Sequence, residues 1–152
     1  MKIAIGSDES THLTDAVVED VKRRGHEVSL YGPLAGRADY WPEVARQVAE
    51  AVAAGAADEG VLFCWTGTGI SLAANKVPGI RAALAGDAET ARGARLWNNA
   101  NVLCMSLRAT AETVAGEILE SWFSTRYQPN EEDDACLAQL AAIERRYARE
   151  EE

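Results

Sequence analysis

Basic charge is what this chain has too little of: 15 Lys and Arg stand against 24 Asp and Glu, a formal net charge of −9. Phosphate backbones demand a basic surface, so nucleic acid is excluded as a partner. Cysteine is scarce too. Cys64, Cys104 and Cys136 are an odd number spread far apart, which makes no disulfide framework and points to a reducing, cytoplasmic setting. The two histidines, His12 and His26, fit no metal-ligand spacing, so a metal site is not expected. No apolar run is long enough to span a bilayer, and the start, Met1-Lys2-Ile3-Ala4-Ile5, lacks signal-peptide architecture, so no membrane partner is expected. The three-glycine dinucleotide fingerprint is missing as well. The first turn, Gly6-Ser7-Asp8-Glu9-Ser10-Thr11, holds one glycine, and no cofactor is expected. No internal repeat or low-complexity linker divides the 152 residues, which suits one domain over 1–152 able to bury roughly 70% of its unfolded surface.

What is there alternates. Strand-like runs at Lys2–Ile5, Glu27–Tyr31, Gly60–Cys64, Ile80–Ala85 and Ala100–Ser106 are separated by helical patterns at Thr11–Arg24, Trp41–Ala54 and after the turn Thr66-Gly67-Thr68-Gly69 as far as Lys76, then from Asp87 to Trp97 and Thr110 to Thr125. Beyond Pro129, an acidic opening, Glu131-Glu132-Asp133-Asp134, suits the start of one more helix. Its stripe of Leu137, Leu140, Ile143 and Tyr147 lies outside a sheet already covered, so residues 130–152 are expected to pack on a partner subunit. Such alternation specifies a three-layer α/β/α sandwich, Rossmann-like, with a parallel sheet of about five strands and an extra C-terminal helix. Ligands of these sheets gather beyond the carboxyl ends of the strands, where strand order reverses.

One stretch organises the rest: Gly60-Val61-Leu62-Phe63-Cys64-Trp65-Thr66-Gly67-Thr68-Gly69-Ile70-Ser71-Leu72-Ala73-Ala74-Asn75-Lys76. A buried strand runs into a two-glycine turn and then into a small-residue helix. Glycine permits positive φ and close approach, and the helix start adds unsatisfied N–H donors and the positive end of its dipole. Cys64 stands at the strand's end, facing those donors. Asp8, Asp87 and the segment Ser106 to Arg108 reach the same edge.

From Cys64 to Leu84, with Asn75-Lys76-Val77-Pro78-Gly79-Ile80-Arg81-Ala82-Ala83-Leu84 at its end, the chain resembles the ribose-5-phosphate isomerase B / galactose-6-phosphate isomerase family. Gly6-Ser7-Asp8, Asn98-Asn99-Ala100-Asn101-Val102-Leu103 and Arg108 extend the resemblance over residues 1 to 125. It implies a metal-free aldose–ketose isomerase that works on a small sugar phosphate through a cis-enediol. Cys64 is then the base, the thiolate being the active form and a helix N-terminus favouring it. Amides around Gly67, Gly69 and Ser71 hold the enediolate, Thr66 relays a proton, Asn98 donates to the carbonyl oxygen, and Asp8 orients a hydroxyl. Arg108 clamps the anionic end, and Trp97 lines the pocket. The family's pocket lies between two subunits, with the Asn98 region and Arg108 facing the neighbour's thiol, so a homodimer or a dimer of dimers is implied.

The departures from the family pattern are specific. Glu9 and Trp97 stand where the family has histidines, the second of them credited with ring opening, and Trp65 replaces a glycine. Gln128-Pro129-Asn130-Glu131-Glu132-Asp133 replaces a basic stretch that helps bind phosphate. A substrate that cannot close a ring, such as a tetrose 4-phosphate, needs no ring-opening acid, and two tryptophans suit a shorter chain. Arg92 and Arg95 read as solvated helix residues. Two function classes stay open: an isomerase, and a non-catalytic or hetero-oligomeric relative that binds a small sugar.

Overall fold

The computed structural model describes residues 1–148. Strands and helices follow one another as β1 (Lys2–Ser7), α1 (His12–Arg23), β2 (Glu27–Tyr31), α2 (Trp41–Ala53), β3 (Glu59–Cys64) and α3 (Thr68–Ala74). The order continues with β4 (Ala82–Leu84), α4 (Ala88–Asn98), β5 (Val102–Ser106), α5 (Glu112–Ser124) and α6 (Glu131–Tyr147). The strands pair in parallel in the order β2-β1-β3-β5-β4. This is the expected three-layer α/β/α sandwich with one helix added at the end. Two segments differ from the sequence reading. A 3-10 turn, Gly32–Ala35, occupies part of the loop after β2. The edge strand β4 is shorter than Ile80–Ala85, because the Ile80 amide closes a turn onto the Val77 carbonyl at 3.2 Å.

Alternation along the strands divides the core in two. Ile3, Ile5, Val61, Phe63, Leu103 and Met105 meet Val17 of α1, Ala91 of α4, and Ile118 and Trp122 of α5. Ala4, Leu62, Cys64, Val102 and Cys104 meet Val44 and Val48 of α2 and Ile70 and Ala74 of α3. Full burial of one such large side chain stabilises the fold by about 2 kcal/mol.

Caps fix the helix ends that matter for the site. Thr11 caps α1, accepting from the Thr14 amide, while Thr14 Oγ1 accepts from the Thr11 amide in return. Asp87 caps α4 by accepting from the Thr90 amide at 2.7 Å, and that bond holds its carboxyl below the usual range. At the other end of α4, Asn99 takes a left-handed φ of 46° and turns the chain into β5. The last helix, α6, buries none of its described residues. Its Glu144 accepts from the Gly79 amide at 3.0 Å, and residues 149–152 of the expected helix lie outside the described residues. Among the described residues, no helix is long and apolar enough to cross a membrane.

Candidate active site

Strand order reverses between β1 and β3, whose neighbours lie on opposite sides, and ligands of such sheets bind in the crevice beyond the carboxyl ends at that point. Asp8 leaves β1 there and Cys64 ends β3 there, with Ser7 paired to Phe63 in register. Ser7 is fully buried and shapes the exit. Its hydroxyl donates to the Glu9 carbonyl at 2.6 Å and accepts from the Glu9 amide at 3.2 Å. Asp8 is half-buried, and the loss of hydration raises its pKa; its own backbone amide opposes the shift and the charge of Glu9 adds to it.

The turn after Cys64 is tight for a stated reason. Gly67 is the N-cap of α3 at φ 76°, and a Cβ there would lie 2.6 Å from Leu84 Cδ1 and 3.0 Å from the Met105 carbonyl carbon. The turn therefore rests directly on the end of β5. Leu107 and Arg108 amides donate to the Cys64 and Trp65 carbonyls, each at 3.0 Å, and the Ser106 hydroxyl also donates to Trp65 O at 3.0 Å. Thr66 and Thr68 hydroxyls meet at 2.7 Å across the turn. Cys64 is only 5% exposed and lies on the α2/α3 face of the sheet, under the first turn of α3.

Ser71 does not serve as expected. Its amide donates to Gly67 O at 3.3 Å, the first bond of the helix, so it is not an open donor. Its hydroxyl instead reaches the Cys104 thiol, whose pKa burial pushes up, with the charge of Cys64 acting in the same direction and the Ser71 contact against it. The donors that no carbonyl four residues back can satisfy belong to Gly67, Thr68, Gly69 and Ile70. Ile70 was missed because its side chain is core; the signal was its position, third in the helix. Trp41, at the start of α2, was also missed. Its ring lies 3.4 Å from where a Gly69 Cβ would be, so it packs against the first turn of α3. Trp65, in the turn after β3, is 61% exposed.

Asn98 and Trp97 are not at this edge. They end α4 at the opposite side of the sheet, separated from the Arg108 end by β5, roughly 17 Å of strand. Arg108 therefore shares an edge with its own chain's Cys64, not with its own Asn98. Trp97 is 52% exposed and is no core residue. With Asn98 it fronts a groove of about 840 Å³ closed on its far side by Leu137, Leu140 and Ile143 of α6. Arg95, read from the sequence as solvated, is 6% exposed. It donates to Glu59 at 2.7 Å and stacks 4.7 Å from the Trp122 ring, so it holds elements together and is not free for phosphate.

A sequence model of the family described as Ribose/Galactose Isomerase matches residues 3–140. The chain belongs to the ribose/galactose isomerase family. Among its relatives, galactose-6-phosphate isomerase subunit LacB of Clostridium acetobutylicum is 39% identical over 90% of this chain and 80% of its own. D-erythrulose-4-phosphate isomerase 2 of Mycolicibacterium smegmatis is 34% identical over 95% of this chain and 97% of its own. The solved ribose-5-phosphate isomerase B of Clostridium thermocellum superposes with a TM-score of 0.90 at 36% identity, covering 97% of this chain and all of that one. The names of these relatives carry sugar phosphates of three lengths, a hexose, a tetrose and a pentose.

Proposed function

We propose that this chain is an aldose–ketose isomerase of a small sugar phosphate that works through a cis-enediolate, with Cys64 as base. The observation that carries the reading is the placement of Cys64 at the β1/β3 switch point, just before the open first turn of α3, in a chain of an isomerase family. The Cys64 thiolate takes the proton from the carbon beside the carbonyl. The electron pair of that C–H bond forms the carbon–carbon double bond, and the carbonyl π pair moves onto oxygen. Donors of Thr68, Gly69 and Ile70 face that developing charge. The hydroxyl pair of Thr66 and Thr68 passes a proton between the two substrate oxygens, and the Cys64 thiol returns its proton to the neighbouring carbon. Asp8 orients a hydroxyl, and Arg108 clamps the anionic end of the substrate.

Asn98 lies too far along the sheet to reach its own chain's crevice, so the site takes Asn98 and Trp97 from a second copy. A twofold homodimer, alone or paired into a dimer of dimers, supplies them, and the unburied stripe of α6 is the surface that packs on the partner. Three free thiols, Cys64, Cys104 and Cys136, suit a reducing cytoplasm.

For the substrate we favour a tetrose 4-phosphate over a pentose 5-phosphate. Exposed Trp65 and Trp97 narrow the pocket at positions where bulk limits chain length, and a tetrose 4-phosphate has no free hydroxyl with which to close a furanose ring. A relative whose printed name is D-erythrulose-4-phosphate isomerase 2 agrees with this choice. The test is exchange of the substrate's α-hydrogen with solvent deuterium, run on tetrose and pentose phosphates with wild type and Cys64→Ala. Thiol-dependent exchange, faster on the tetrose, is expected. Faster turnover of ribose 5-phosphate overturns the substrate choice, and absence of exchange with every sugar phosphate favours a binding protein.

A further inference from the structure

Asn98 is followed at once by Asn99, which is the single non-glycine residue with positive φ among the described residues. Such a conformation costs of order 1 kcal/mol and persists where the surroundings over-determine it. Here two arginines do so. Arg81 Nε donates to the Asn99 carbonyl at 2.7 Å, and Arg95 Nη1 donates to the Ala100 carbonyl at 2.6 Å. Successive carbonyls after Asn98 are thus gripped from two different elements. Each arginine is itself held. The main chain of Arg81 pairs with Asn101, its amide donating to Asn101 Oδ1 at 2.8 Å and its carbonyl accepting the Asn101 amide at 3.0 Å. Arg95 is fixed by Glu59 at 2.7 Å and by the Thr125 carbonyl at 3.3 Å.

The two guanidiniums are used differently. Arg95 has a buried carboxylate to neutralise it. Arg81 is half-buried, forms no ion pair among the described residues, and directs its side-chain bonds to the Asn99 and Gly79 carbonyls. Burial pushes the Arg81 pKa down, and Glu144 of α6 pushes it back up. A desolvated cation aimed at main-chain oxygens stiffens a turn more than it stabilises a core. The turn it stiffens directly follows Asn98, which with Trp97 must cross to a partner.

We propose that Arg81 and Arg95 are positioning residues that clamp the Asn99 and Ala100 carbonyls and so set where Asn98 is presented to the partner's crevice. This rests on the assignment of Asn98 to the shared site. Placement within about 0.5 Å decides whether a hydrogen bond forms in the transition state, and a misplacement of about 1 Å can cost a hundredfold.

Arg81→Lys keeps the charge and loses the fixed Nε geometry. In the assembled protein its kcat is expected to fall about tenfold with KM little changed, since Asn98 acts on the developing oxyanion. In an Asn98→Ala background the same change is expected to add less than about a twofold loss, because coupled residues do not combine multiplicatively. Hydrogen exchange of the Ala100 and Asn101 amides is expected to quicken in Arg81→Lys while the thermal midpoint holds. Arg95→Lys is expected to repeat the pattern at lower stability. Losses that multiply in the double variant, or unchanged amide exchange in Arg81→Lys, overturn the clamp while leaving Cys64-dependent isomerisation standing. A fully active Asn98→Ala overturns the shared site and the clamp with it.

Discussion

Asp8 sits half-buried after β1, where lost hydration raises its pKa and its own amide only partly offsets the shift. A raised carboxylate pKa means that the folded chain holds the proton more tightly than the unfolded one. The ionised form therefore lowers stability at neutral pH, and the penalty vanishes below the carboxylate range, where both states are protonated. Asp8→Asn is expected to raise the thermal midpoint at neutral pH and to lose that advantage as acid is added, while isomerase activity falls. Calorimetry across pH, paired with a rate assay, checks both halves; a lower midpoint at neutral pH contradicts the sign. Arg95 shows the same cost of burial on a cation. Its pKa is lowered by burial and supported by Glu59, and Arg126 lies a further 3.3 Å from the same carboxylate. Arg95→Leu leaves Glu59 buried with only Arg126 and the Trp122 indole, which donates to it at 2.8 Å, and breaking such a pair costs about 3 kcal/mol. Urea unfolding measures it, and a loss well under about 1 kcal/mol would mean that Arg126 and Trp122 suffice.

Elements were legible in the sequence wherever local chemistry marks their ends. Thr11 before Leu13, Asp87 before Ala91 and Pro42 in the first turn of α2 all announce starts that the structure keeps. Cys64 and its turn were legible for the same reason, since strand, glycines and helix are contiguous in the chain. One donor was read too far along: Gly67 is the cap, so Ser71 already closes the helix, while Gly67 and Gly69 stay open together with Thr68 and Ile70. Arg95 was misread because its partner lies 36 residues away, and an arginine among alanines carries no sign of a distant carboxylate. Trp41 was overlooked because its contact, Gly69, lies 28 residues away on another helix. The stripe on α6 was visible, yet nothing in one chain buries it. Ile143, 57% exposed, is the centre of that face. Ile143→Glu is expected to leave the fold and thermal midpoint of the chain nearly intact while shifting sedimentation toward monomer and lowering activity. An unchanged assembly removes α6 from the interface.

At the scale of the whole molecule, parallel topology has a consequence for the site. Every strand ends at the Cys64 edge and every α-to-β turn lies at the other, so no folding of one chain brings Asn98 to Cys64. Under the proposed assembly, two chains related by a twofold axis would place one edge against the other and complete two sites at once. The net charge of −9 then matters for the ligand: in so acidic a chain the anionic end of a substrate needs a cation kept free for it, and Arg108 forms no ion pair among the described residues. Co-expression of Cys64→Ala with Asn98→Ala chains tests the shared site most directly. Each variant alone is expected to be nearly inactive. A mixed dimer holds one site with both changes and one with neither, so random pairing of the two chains should restore about a quarter of wild-type activity. Mixed dimers that form, shown by two affinity tags, and yet recover no activity would contradict a site built from Cys64 of one chain and Asn98 of another.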